Sequence, residues 1–127
     1  IHVRRGDYND KKNRDIFANI GKDYVINAMK LFGDDDVDFL IFSDDFKTIE
    51  NEFDMSKFTN LNNSDEIEDL YALSQCDGVI ISNSSFSWWG AWLGKEKYKV
   101  ISPEKWFGPK GPKDFQDIYN EDWIRIK

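Results

Sequence analysis

The sequence predicts an α/β domain with a mostly parallel sheet flanked by helices, and three observations carry that prediction. Short apolar runs rich in β-branched residues, at residues 1–3, 38–43, 78–82 and 100–102, alternate with stretches of helical spacing. The runs 38–43 and 78–82 are nearly continuous in apolar residues, as in strands covered on both faces. Polar turns able to open a helix follow them. In such an alternation the crossovers are right-handed and ligands bind at the carboxyl ends of the strands.

Taken in order, Ile1 and Val3 form a first strand that delivers Arg4, Arg5, Gly6 and Asp7 into a loop. Residues 8–20 are polar and charged and read as a mobile loop, a flap near Arg4. Over residues 22–32, Tyr24, Val25, Ala28, Met29 and Phe32 recur at three- and four-residue spacing, a helix that Gly33 stops. Asp34-Asp35-Asp36 makes a turn before the second strand. Ser43-Asp44-Asp45 caps a short helix over 46–53, and residues 58–61 are expected to add a brief strand. Asn63 and Glu66 have capping-box spacing, opening a helix with Ile67, Leu70, Tyr71 and Leu73 or Ser74 inward. Beyond the 78–82 strand, Asn83-Ser84-Ser85 turns into a compact helix over 86–93, closed by Gly94. Pro103 stops the last strand, residues 105–112 form an irregular loop, and residues 118–126 read as a terminal helix or turn. Neither a repeat nor an internal boundary is visible, so residues 1–127 read as one domain.

Composition narrows the function. The chain of 127 residues is 40% hydrophobic and 16% aromatic, which argues against disorder. Its single cysteine, Cys76, excludes an internal disulfide framework and favours a reducing compartment. No apolar run approaches the roughly 18–20 residues that cross a bilayer, and no signal peptide is visible. A cytoplasmic protein, or one peripheral to a membrane, of bacterial origin is the expectation. The net charge of −7 argues against nucleic acid as a partner. Charge is uneven: residues 34–77 hold fourteen acids against two bases, whereas Arg4 and Arg5 stand together. A small anion fits that distribution and a long polyanion does not. Ile1 falls inside an apolar run, so the chain is expected to continue a longer one whose earlier domain supplies further groups.

The motifs each admit a plain reading and a chemical one. Two guanidiniums at a strand end match phosphate oxygens in pairs, with Asp7 able to hold one arginine while the other meets a ligand. The plain alternative is a surface Arg–Asp pair worth at most about 1 kcal/mol. Ser84 or Ser85 could simply cap a helix, or the turn could gather N–H groups into an anion site. Trp88, Trp89 and Trp92 share one short helix and cannot all point inward, so core and interface packing is expected of them. Asp34-Asp35-Asp36 and Asp44-Asp45 look like paired acids for a divalent metal, but the first lies at the wrong strand end and the second suits a cap.

The run Ser82-Asn83-Ser84-Ser85-Phe86-Ser87-Trp88-Trp89-Gly90-Ala91-Trp92-Leu93 is more specific than a cap requires. Together with His2-x-Arg4-Arg5-x-Asp7 and Phe42-Ser43-Asp44-Asp45, it resembles the α-1,2-fucosyltransferases, glycosyltransferase family 11, over nearly the whole chain. The resemblance implies a Rossmann-like, GDP-fucose-binding, carboxyl-terminal domain of a two-domain GT-B enzyme, with the amino-terminal acceptor domain absent. It implies His2 and Arg4 on guanine and diphosphate, Asp69, sixteen residues before Ser85, on guanine, and Ser84, Ser85 and Phe86 at the nucleotide sugar. Guanine presents two adjacent N–H donors that one carboxylate can accept together, which adenine and uracil do not; a solvated helix acid is the plain reading of Asp69. His2, the only histidine, is otherwise an ordinary strand-end residue. Arg5 is expected to meet the ligand or to hold the loop through Asp7.

The function so implied is inverting transfer of fucose from GDP-fucose to a galactoside hydroxyl, with Arg4 as catalytic residue and no cofactor or metal. Among alternatives are a non-catalytic GDP-sugar or guanine-nucleotide module and an interaction domain using its tryptophans. No general base is evident apart from a weak candidate in Asp7, so the 127 residues alone are expected to bind GDP weakly and to be inactive.

Overall fold

Strands β1 (His2–Val3) and β2 (Phe42–Ser43) pair in parallel, with His2 opposite Phe42 and Val3 opposite Ser43. Strands β3 (Gly78–Ile80), β4 (Lys99–Pro103) and β5 (Ile124–Ile126) form a second parallel ladder in that order. The computed structural model describes residues 1–33, 36–63 and 65–127 and carries between these strands the helices α1 (Lys22–Lys30), α2 (Phe46–Glu52), α3 (Glu66–Ser74) and α4 (Ser85–Trp92). This is the α/β architecture, parallel strands flanked by helices, that the alternation predicts.

Successive strand residues face opposite cores, as period two requires. Ile41, Ile80 and Ile101 join Tyr24, Val25 and Ala28 of α1 and Ile49 of α2 in one cluster. Phe42, Val79, Ile81 and Val100 join Leu73 of α3 and Ala91 of α4 in the other. Each cluster draws on both ladders, so the strands make one layer with helices on either side. Tyr24 crosses into that layer and donates its phenol to the Ile81 carbonyl at 2.7 Å.

Helices α3 and α4 set the geometry of the site. A Cβ on Gly90 would lie 2.3 Å from Leu73 Cδ2, and one on Gly94 would lie 2.7 Å from the Ser74 carbonyl oxygen. From Gly90 to Gly94 the contact advances from Leu73 to Ser74 and Gln75, so the two helices run in the same direction. Asp69 lies about one turn before Leu73 in α3 and Phe86 about one turn before Gly90 in α4; α3 leads into β3 and α4 follows it, so both helices run back against the strands. Both first turns therefore lie at the carboxyl end of the strands.

Several expectations are corrected. Residues 118–126 are neither helix nor simple turn: a 3-10 turn at Gln116–Ile118 precedes β5, whose Ile124-Arg125-Ile126 alternation has period two. The strand expected over 58–61 is reduced to a single parallel bridge between Leu40 and Thr59. Helix α3 is capped by Asp65, which accepts from the Glu68 N–H at 2.9 Å, rather than by Asn63. Ile67 and Tyr71 are exposed, because the inward face centres on Leu73, about 200° around the helix from Tyr71. Asp34 and Asp35 of the acidic turn, and Ser64 within the Asn63–Glu66 spacing, lie outside the described residues.

The loop over 8–20 is not a free flap. A 3-10 turn at Gly6–Asn9 opens it, and Tyr8 stacks on Phe17 at 4.2 Å. Its far side is tied to residues 106–110 by the Ala18 N–H to Trp106, Gly108 N–H to Ile16 and Lys110 N–H to Asp15 hydrogen bonds. Glycines are needed at that seam, since a Cβ on Gly108 would sit 2.6 Å from the Asp15 carbonyl oxygen and one on Gly111 2.4 Å from that of Ile16.

Candidate functional site

A cleft of about 370 Å³ opens where β1 and β3 end, with Arg4, Arg5, Tyr8, Arg14, Phe17 and Asn83 in its walls. A larger hollow of about 840 Å³ lies at the amino ends of the strands, beside Ile1, Leu40, Gly78 and Tyr98. Asp36, Asp38 and Asp77 border that hollow, whereas Arg4, Arg5 and Arg14 line the smaller cleft, which presents the guanidiniums.

Arg4 follows β1 directly and is fixed from three sides. Its Nη2 donates to Asp7 Oδ1 at 2.7 Å, its Nε lies 3.3 Å from Asp44 Oδ2, and its guanidinium sits 5.4 Å from the Tyr8 ring centre. Nε is buried and finds no aligned hydrogen-bond acceptor. Partial burial works against the Arg4 charge, but the Asp7 hydrogen bond and the Asp44 and Asp7 carboxylates outweigh it and raise its pKa. Tyr8 in turn donates its phenol to the Asn83 carbonyl at 2.8 Å, which ties this arginine to the end of β3. The guanidinium is positioned before any ligand arrives, the arrangement that makes electrostatic stabilisation effective.

Arg5 does not hold the loop through Asp7. It is buried, and Nε and Nη2 donate to Glu52 at 2.8–3.2 Å while Nη1 donates to the Arg4 carbonyl. Asp7 therefore holds Arg4 and not Arg5, whose charge is matched by α2. Asp44 is also more than a cap. Asp45 caps α2 by accepting from the Thr48 N–H, whereas Asp44 accepts from the Arg5 N–H at 2.9 Å and faces Arg4. The register explains it: with Val3 opposite Ser43, the next residues on each strand are Arg4 and Asp44.

His2 is buried, and its Nδ1 is hydrogen-bonded with Ser87 Oγ at 2.5 Å and Ser82 Oγ at 3.1 Å. Phe86 covers the ring at 4.8 Å. Burial first, and then positive neighbours including Arg4, lower its pKa to about 3, so the imidazole is neutral at physiological pH. Ser87 Oγ also accepts from the Ser82 N–H, making a buried knot that locks β1 to the β3–α4 turn.

Ser84 occupies the N-cap of α4 but makes no side-chain cap bond, so the plain capping role is unfilled. Ser84 is buried and Ser85 exposed at the mouth of that helix, whose peptide dipoles favour an anion. Asp69 lies on the first turn of α3, where Asn63 Nδ2 donates to Oδ1 at 3.0 Å; no other donor among the described residues reaches it. Burial and then the neighbouring acids raise its pKa, against the Asn63 hydrogen bond. It is a carboxylate short of donors.

The cleft thus unites Arg4 and Arg5, and the knot around Ser87 links His2 and Phe86 to the Ser84-Ser85 turn. Asp69 makes no contact with Arg4; it shares only the end of the sheet. The sequence reading placed Asp44 at the end of the second strand but weighed it only as a capping or metal-binding acid, and it gave no individual role to Glu52, Tyr8, Asn83 or Ser87. Parallel register gives Asp44 its place opposite Arg4, whereas the roles of Glu52, Tyr8, Asn83 and Ser87 depend on partners distant in sequence.

The family model of glycosyl transferase family 11 matches residues 1–127. The chain belongs to glycosyl transferase family 11. Among curated relatives, the family member is similar to the O-antigen biosynthesis glycosyltransferase WbnK of Escherichia coli, 37% identical over 134 residues, covering 99% of this chain and 43% of that protein. It is also similar to an alpha-1,2-colitosyltransferase of Escherichia coli, 34% identical over 138 residues, covering 100% of this chain and 47% of that protein. The family 11 chain therefore spans less than half the length of these relatives. No solved structure matches it. Among the described residues, no helix is long and apolar enough to cross a membrane.

Proposed function

We propose that this family 11 chain is the donor-binding part of an inverting α-1,2-fucosyltransferase that uses GDP-fucose. The observation that carries the reading is the fixed Arg4 guanidinium at the end of β1, linked through Tyr8 to Asn83 just ahead of the α4 N-terminus, where Ser84 makes no cap bond. Guanine would lie against Asp69, whose open carboxylate oxygen suits the paired N–H donors of that base. The diphosphate would lie between Arg4 and the Ser84-Ser85 turn. An acceptor hydroxyl, on a galactoside, attacks the anomeric carbon while the bond to the β-phosphate oxygen breaks and GDP leaves. Arg4 stabilises the negative charge that builds on that oxygen. The acceptor proton goes to a group that the other part of the protein supplies, which also binds the acceptor.

Asp44 supports a reading without metal or cofactor: its carboxylate already faces Arg4 and holds the Arg5 N–H. His2 and Arg5 serve as positioning residues here, His2 through the Ser87 knot and Arg5 through Glu52. The similarity to an alpha-1,2-colitosyltransferase favours a second reading of the sugar alone, with GDP-colitose as donor.

The test is transfer by the full-length protein, with GDP-fucose and GDP-colitose offered in turn to a β-galactoside, with and without a chelator. A fucosylated product formed in chelator supports the proposal. Colitose transfer alone supports the second reading. GDP binding without transfer of either sugar would make it a guanine-nucleotide module instead.

A further inference from the structure

Charge in the cleft exposes a shortfall that the donor reading must meet. Arg4 faces two carboxylates, Asp7 and Asp44, and Arg5 faces a third, Glu52. These five groups leave one formal negative charge where a diphosphate would bind. An anion of that kind needs a further cation, or it must displace an existing ion pair.

Arg14 is the remaining arginine in the wall of the cleft. Its Nε donates to the Asn9 carbonyl at 3.0 Å, which fixes the root of the guanidinium. Among the described residues no carboxylate lies within ion-pair distance of it, and neither terminal nitrogen has a protein acceptor. Its backbone is also held, since its N–H donates to the Asp10 carbonyl and the neighbouring residues are tied to 106–110. Arg14 is an exposed cation in the wall of the cleft, on a pinned loop and with its terminal nitrogens unpaired, so it binds an anion without first losing a partner.

We propose that Arg14 is a second phosphate-binding residue, which closes with Arg4 on the diphosphate of the nucleotide sugar. The inference rests on the donor reading above. Arg4 stays engaged with Asp7 and Asp44 and supplies orientation, while Arg14 supplies the unopposed charge.

The experiment is calorimetric titration of GDP and of guanosine into the full-length protein and its Arg14→Gln and Arg14→Lys variants. Arg14→Gln is expected to lower GDP affinity about tenfold or more, the scale of a charge-assisted contact, while guanosine affinity stays as in the wild type. Arg14→Lys should recover part of the loss, because charge returns without the fork. An unchanged melting temperature would separate this effect from a loosened loop. GDP binding by wild type and Arg14→Gln with equal affinity would overturn the inference and leave the donor reading intact. Failure of the wild type to bind GDP would overturn both.

Discussion

Arg4 and His2 stand two residues apart and face opposite demands, one kept charged at the cleft and the other kept neutral within the fold. The Arg4 fork is held by Asp7 and Asp44, and in the proposed function that fixed geometry is what meets the leaving diphosphate. Arg4→Lys keeps the charge and loses the fork, so turnover by the full-length protein should fall on the order of 10²–10³-fold. Near-normal turnover would show that Arg4 does not carry that role. For His2, the folded pKa of about 3 lies below the ordinary 6.5, so between these values the unfolded chain binds a proton that the folded one refuses. The stability contributed by neutral His2 is complete above pH 6.5 and declines as pH falls toward 3, at up to about 1.4 kcal/mol per pH unit. His2→Gln cannot titrate and should show a flatter loss of melting temperature between pH 6.5 and 4, even with a lower value at pH 7. Parallel pH profiles for the two proteins would place the acid sensitivity elsewhere.

At the scale of elements, the contact between α3 and α4 decides where Asp69 stands relative to Ser85 and Phe86. Gly90→Ala places a methyl 2.3 Å from Leu73 Cδ2 and should destabilise the fold by about 1–3 kcal/mol. It should also weaken GDP binding, because α3 is pushed away from α4. Leu73→Ala alone should cost about 2–5 kcal/mol through the cavity it leaves. Denaturant unfolding of the double variant should show a loss smaller than the two combined, as the new methyl enters the space left by Leu73. Full additivity would mean that the two residues do not share that contact.

These elements also show what could be read without coordinates. Helix α1, the buried strands and the Gly33 and Gly94 stops were legible because periodicity and left-handed glycines are local signals. Strand β5 was not, because three residues carry too short a period to outweigh a nearby turn. Ile67 and Tyr71 were misplaced because sequence spacing gives a helix face but not the partner that selects it. Among the candidate site residues, Arg4 was marked by its place at a strand end, and Ser85 and Asp69 by the resemblance. Glu52 and Tyr8 did not, since an acid late in a helix and a loop tyrosine become meaningful only when the chain brings Arg5 and Asn83 to them.

Over the whole molecule, a chain of net charge −7 brings Arg4, Arg5 and Arg14 to one cleft, where Asp7, Asp44 and Glu52 pair the first two, while Asp36, Asp38 and Asp77 border the hollow at the other end of the sheet. In the proposed function an anionic donor meets guanidiniums that are mostly paired, with Arg14 as the unopposed charge, so local arrangement and not net charge governs its binding. The pinned 8–20 loop belongs to the same design. Gly111→Ala, which drives a methyl toward the Ile16 carbonyl, should lower GDP affinity through displacement of that loop, with most of the thermal stability retained. Calorimetry and a melting curve on the same sample check both parts, and wild-type affinity would mean that the seam does not govern the cleft. The relatives extend over more than twice this length.

A guanylated donor at the carboxyl ends of the strands is the claim on which the account turns, and nucleotide selectivity tests it most directly. GDP, ADP and UDP should be titrated in parallel into the wild type and into Asp69→Ala. Binding of GDP by the wild type, with ADP and UDP at least about tenfold weaker and that preference lost in Asp69→Ala, is the expected result. Equal binding of the three nucleotides by the wild type, or a GDP preference that survives in Asp69→Ala, would contradict it.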